Sequence, residues 1–155
     1  MSRQGKAWLS DPVAGLRWWM CVMGLLYIFA GLFAFFLQER FLYLVFPRVD
    51  AATHADSYLA LRTALTVWGV YIGMIGGALL VGSRNPLRNV GLAWLVVATE
   101  TSGALGDVWL STLDHVNARV TLPAIPFHLI TMALGVFFLW RSRSLEWKCI
   151  ETMKA

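Results

Sequence analysis

Charge is scarce in this chain. Only 14% of its residues are Asp, Glu, Lys or Arg, against about 25% in an ordinary soluble domain. Hydrophobic residues make up 58% of the 155, and the mean hydropathy is +0.62. That balance excludes an ordinary soluble domain and leaves room for a single membrane domain, residues 1–155. Cysteine is nearly absent. Cys21 and Cys149 are too few for a disulfide framework, and both read as free thiols. With no Cys-x-x-Cys, thiol–quinone redox chemistry is excluded. With no second histidine inside the apolar runs, so are a bis-histidine haem and an HxxxH zinc pair. No Gly-rich phosphate loop follows a strand, because "GMIGGALLVG" lies inside an apolar run.

What is abundant is apolar sequence in long runs. Four stand out: Trp18 to Leu37, Leu61 to Val81, Val90 to Leu110 and Leu122 to Trp140. Each is close to the roughly 20 residues that cross a hydrocarbon core of about 30 Å. An all-α, integral membrane four-helix bundle follows. The first run is too long for a signal-peptide core and lacks a small-x-small cleavage site, so it reads as an uncleaved helix. Between the first two runs lies a loop, residues 38–58. Its apolar start, "FLYLVFP", is too short to span and reads as lying along the interface until Pro47 ends it.

Positive charge sets the orientation. Arg3, Lys6, Arg17, Arg84, Arg88, Arg141, Arg143, Lys148 and Lys154 fall on one side, against Arg40, Arg48, Arg62 and Arg119 on the other. The positive-inside rule then places both termini in the cytoplasm. The net charge of +4 is thus a topology signal, and nucleic acid is not expected as a partner. The basic tail suits anionic lipid, with a membrane or soluble partner protein as the alternative. Trp18, Trp19, Trp109 and Trp140 fall near run ends, as an aromatic belt requires.

One run breaks its own pattern. "ATETSGALGDVWL" places Glu100 and Asp107 in the third helix, seven residues apart and therefore on one face, with Ala93, Gly103, Ala104 and Ser111. Such a stripe faces the bundle, since lipid demands large apolar groups. The second helix offers Gly69, Gly73 and Gly77, continued by Thr66 and Arg62. The fourth offers Ala124, His128, Thr131 and Gly135, and the first Gly24, Tyr27 and Gly31. These small-residue faces read as packing devices, within the chain or between two copies of it. Depth along each helix, at about 1.5 Å per residue, groups Arg62, Asp107 and His128 near the outer face above Glu100. The expected pocket is Arg62, Thr66, Tyr27, Glu100, Asp107, His128 and Thr131. A purely structural alternative remains beside it, with Arg62 paired to Asp107 and a protonated Glu100 bonded to Thr66 or Tyr27. Glu100, Asp107 and His128 could also offer three ligands to one metal ion. Nothing else in the sequence asks for a metal or cofactor, and none is assigned.

Three stretches, "RWWMCVMGLLYIFAGLFAFFLQERFLYLVFP", "LRTALTVWGVYIGMIGGALL" and "ETSGALGDVWLS", resemble the BphX-like family. These are small integral membrane proteins encoded among bacterial genes for aromatic-hydrocarbon breakdown. The resemblance implies a multi-pass protein of the bacterial inner membrane, accessory to the handling of hydrophobic aromatic compounds. It transfers no catalytic residue. The residues themselves leave three functions open. The first is a non-enzymatic accessory that binds an apolar small molecule or a partner protein. The second is an intramembrane enzyme using Glu100 as acid or base beside Asp107 and His128. The third is a proton-coupled carrier, for which a symmetric homo-oligomer could supply the missing helices.

Overall fold

The computed structural model describes residues 11–49, 51–114 and 116–154 and is all-α. Five helices follow in order: α1 Pro12–Phe36, α2 Gln38–Val45, α3 Ala55–Gly82, α4 Val90–Ser111 and α5 Ala118–Lys154. Expectations that rest on Arg3 and Lys6, and on the side chains of Lys148, Cys149 and Lys154, lie outside the described residues.

Local chemistry sets the ends. Asp11 caps α1 by accepting from the backbone N–H groups of Val13 at 2.9 Å and Ala14 at 3.2 Å. Pro12 then starts the helix where its missing N–H costs nothing. That cap carries α1 back six residues from the expected Trp18. The interfacial segment is itself helical as α2, buries Leu42 and Val45, and stops ahead of Pro47. Asn117, just before α5, holds α2 in place. Its backbone N–H donates to the carbonyl of Val45 at 2.8 Å, and its side chain donates to that of Leu44 at 3.1 Å. Pro123 and Pro126 lie inside α5. Each removes a backbone donor, a defect that packed membrane helices tolerate.

Three helices are long and apolar enough to cross a membrane: Val13–Phe36, Ala55–Gly82 and Ala118–Arg143. The surface agrees with a membrane protein, since Phe29, Phe36, Met74, Leu105 and Trp140 each leave about two thirds or more of their area exposed. α4 is not among the three. At 22 residues it has the length, but Glu100, Asp107 and its Gly, Ser and Thr residues dilute its hydropathy.

The helices pack as two pairs. α1 lies against α3, and α4 against α5, with α1 also touching α5. α3 and α4 meet sparsely. The α1–α3 seam is backbone against backbone. A Cβ on Gly31 would come within 2.5 Å of the Gly69 carbonyl, and one on Gly76 within 2.7 Å of the Gly24 carbonyl. Such close approach is how helices gain van der Waals contact without help from water. The small face of α3 is therefore Gly69, Gly73 and Gly76, since a Cβ on Gly31 would also stand 3.0 Å from the Gly73 Cα. The expected Gly69, Gly73, Gly77 face is corrected at its last member, because a Cβ on Gly77 would meet nothing within 4 Å. The core around this seam and α5 is apolar: Leu16, Trp19, Met20, Met23, Ile72, Leu79, Val96 and Leu139.

Trp19 is a second correction. It is 2% exposed, its ring pressed against Gly135 and Val97, so it belongs to the core and not to an interfacial belt. Trp18, Trp109 and Trp140 are exposed, as a belt needs. Cys21 is a free thiol whose Sγ donates to Ser83 Oγ at 3.0 Å.

Candidate functional site

The polar stripe of α4 meets α5 and α1 in one continuous chain of side chains. The hydroxyl of Tyr27 donates to Glu100 Oε1 at 2.5 Å. Glu100 Oε2 lies 2.6 Å from His128 Nδ1. On the far side of the ring, His128 Nε2 lies 3.3 Å from Asp107 Oδ2. An imidazole thus bridges two carboxylates of the same helix.

Helix geometry explains why this fits. Seven residues span about 10 Å of axis, enough for one imidazole lying lengthwise with a hydrogen bond at each end. The ring still needs room against the helix, and Gly103 provides it. A Cβ at Gly103 would stand 2.8 Å from His128 Cε1 and 3.1 Å from both ring nitrogens. The motif is therefore Glu100-x-x-Gly103-x-x-x-Asp107, a carboxylate, a seat and a carboxylate on one face. Sequence reasoning counted Gly103 as a small residue and missed it as the seat. Its place between two same-face carboxylates was the available signal.

Burial differs along the chain. Glu100 is 2% exposed and Tyr27 6% exposed, whereas 23% of the His128 side chain and 19% of the Asp107 side chain are open. A carboxylate this buried must be paired or hydrogen-bonded. Tyr27 and His128 are those partners, one at each oxygen of the Glu100 carboxyl. The cluster runs from a closed end at Tyr27 to a partly open end at Asp107.

The remaining expected pocket residues are elsewhere. Arg62 lies 3.8 Å from Glu39 at an exposed site and takes no part in the cluster. Its expected pairing with Asp107 fails because α3 and α4 scarcely touch at that level. Thr66 donates from Oγ1 toward Gln38 Oε1 and the Arg62 carbonyl, each at 2.9 Å, and so does not bond Glu100. Thr131 is buried on α5 and donates to the Phe127 carbonyl at 2.8 Å. The notion of one metal ion bound by Glu100, Asp107 and His128 is also corrected. The carboxylates sit at opposite ring nitrogens, so the three cannot converge on one point. Among the described residues no group of three His, Cys, Asp or Glu could hold a metal ion.

Beside Tyr27, Glu100 and His128 lies a cavity of about 440 Å³. Met23, Leu26 and Ala30 of α1, Trp68 and Ile72 of α3 and Phe127 of α5 make it largely apolar, while Thr99 and Ser102 of α4 add hydroxyls. It occupies the wedge left where α3 and α4 diverge. None of these apolar lining residues was foreseen, since an apolar residue facing a void has the same sequence signature as one facing a neighbour.

An all-α protein with three helices long and apolar enough to cross a membrane, and a Tyr–Glu–His–Asp cluster closed at its Tyr–Glu end beside an apolar cavity, is thus the class. The family follows from comparison: the BphX-like family model matches residues 13–144, and the chain belongs to that family. It is similar to uncharacterized BphX-like proteins of Burkholderia cepacia and Paraburkholderia xenovorans. Each is 28% identical over 109 residues, covering 70% of this chain and 76% of the relative. No solved structure matches.

Proposed function

We propose that this protein is a four-helix accessory protein of the bacterial inner membrane, both termini cytoplasmic, that binds a hydrophobic small molecule of aromatic size. The observation that carries this reading is the cavity. Its volume of about 440 Å³ falls within the usual range for small-molecule sites, about 300–1,000 Å³, and its apolar walls with a few convergent polar groups match their usual chemistry. The family context of aromatic-hydrocarbon breakdown supports the same ligand class. With α4 as a fourth crossing, the cavity lies at membrane depth, where such compounds concentrate.

Calorimetric titration of the purified protein in nanodiscs with naphthalene tests this. Ala30 lines the cavity, and Ala30→Trp fills it. The expected result is saturable binding that falls at least tenfold in the filled variant. No saturable binding, or equal binding by both proteins, counts against the reading.

A second reading draws on His128 held between two carboxylates. Glu100 serves there as an intramembrane acid or base, or as the proton site of a carrier, with His128 and Asp107 relaying protons from the open end. Ligand-driven proton movement in proteoliposomes that Glu100→Gln abolishes supports it. Ligand binding without proton movement removes it.

A further inference from the structure

We infer that the cavity takes an apolar compound bearing a free hydroxyl, a group whose O–H can donate, in preference to a ketone or ether, which can only accept. This rests on the ligand-binding reading and names the chemical class that the polar end of the cavity selects.

The inference comes from counting donors. The Tyr27 hydroxyl is committed to Glu100 Oε1 at 2.5 Å. The two ring nitrogens of His128 face Glu100 Oε2 and Asp107 Oδ2, at 2.6 and 3.3 Å. Wherever the shared protons rest along that chain, each lies between two protein atoms. Thr99 Oγ1 donates to the Leu95 carbonyl at 2.9 Å, and Ser102 Oγ to the Ala98 carbonyl at 3.0 Å. Every N–H and O–H of these side chains is thus turned inward to the protein.

Acceptors are left over. A carboxylate offers about four lone-pair positions and each hydroxyl oxygen about two. Glu100 has two neighbours for its four positions, and the Ser102 oxygen keeps its own after donating, whereas the Thr99 hydroxyl also lies within hydrogen-bond reach of Tyr27. A ketone or ether entering this end would bury its oxygen without a donor, and a bare hydrocarbon would leave the protein's acceptors unmet; both cost free energy. A hydroxyl satisfies one acceptor and brings its apolar body against Met23, Leu26, Ile72 and Phe127. An ammonium would have to give up its hydration in a largely apolar cavity, which disfavours it. Trp68, on α3, carries the remaining donor of the lining. Because Gly31 meets Gly69, Trp68 stands about five residues, or about 7 Å, from the Tyr27 level toward the α2 end.

The test compares three probes of one shape, 2-naphthol, 2-methoxynaphthalene and naphthalene, titrated calorimetrically into the protein in nanodiscs. Ala30→Trp serves as the control for partition into lipid. The expected order places 2-naphthol about tenfold tighter than its methyl ether, the worth of one hydrogen bond to a charged or polar acceptor. Glu100→Gln exchanges an acceptor for an amide that also donates, so the ratio of 2-naphthol to methyl ether affinity falls toward one. If that variant does not fold, the wild-type panel decides alone. Equal affinity for all three probes, a tighter methyl ether, or an undiminished ratio in Glu100→Gln overturns the donor inference and leaves the cavity reading standing. Binding of none of the three overturns both.

Discussion

The α1–α3 and α4–α5 seams both depend on glycine, for opposite reasons. Gly31, Gly69, Gly24 and Gly76 are absent side chains that let two backbones touch. Gly103 is an absent side chain that lets a foreign side chain lie down, the imidazole of His128. The first seam is backbone-to-backbone dispersion along most of its length, with one thiol–hydroxyl contact, Cys21 to Ser83, at its end. The second couples packing to charge, because the ring that fills the gap is also the ring that pairs with Glu100 and Asp107. One seam can only hold; the other can hold and respond.

That contrast can be broken at graded cost. His128→Ala removes one of the two hydrogen-bond partners of the buried Glu100 and leaves it bonded to Tyr27 alone. Stranding a buried polar group costs about 1–3 kcal/mol, and more for a charged one, and the lost ring leaves a void besides, so the largest fall in the detergent melting temperature is expected here. Gly31→Ala forces a methyl into the Gly69 carbonyl and is expected to cost about 1–3 kcal/mol, read in the same melts. Gly103→Ala is expected to cost a similar amount alone and much less in a His128→Ala background, since the clash is with that ring. A double-mutant cycle measures this coupling, and an additive result would break the proposed seat. Tyr27→Phe leaves one lone pair of Glu100 unmet, at about 1–3 kcal/mol. At the bottom of the scale, Glu39→Ala separates a half-exposed pair at 3.8 Å and Gly77→Ala adds a methyl to open space. Each is expected to shift stability by less than about 1 kcal/mol, with ligand binding unchanged.

Much of this architecture was legible along the chain and little of it around the helices. Apolar length located the helices, because the bilayer sets their span. Depth counting also brought Glu100, Asp107 and His128 to neighbouring levels, and Tyr27 was one of two partners weighed for Glu100. The errors are angular. Arg62 shares a depth with Asp107 but sits on a helix that leans away from it. Trp19 has the depth of a belt residue and the azimuth of a core residue. The expected four-residue glycine spacing drifts about 40° per step around a helix, whereas a seven-residue spacing drifts about 20° the other way. The second matches Gly24 and Gly31 on α1, and so their carbonyl contacts fall on Gly76 and Gly69, with the Gly73 backbone between them and Gly77 turned away. Hydropathy carries no information on rotation, which is settled only when neighbours pack.

The bridging position of His128 also bears on how such a chain enters a membrane. On the four-crossing reading proposed above, α4 is a poor candidate for entering a membrane alone, since an aspartate such as Asp107 at mid-depth opposes insertion by about 2.5–3.5 kcal/mol and Glu100 adds a second carboxyl. The imidazole that meets both carboxyls arrives on the next helix to emerge, α5, only a short turn later in the chain. On that reading the natural unit of delivery is the α4–α5 hairpin, in which the reluctant helix is escorted by the residue that satisfies it.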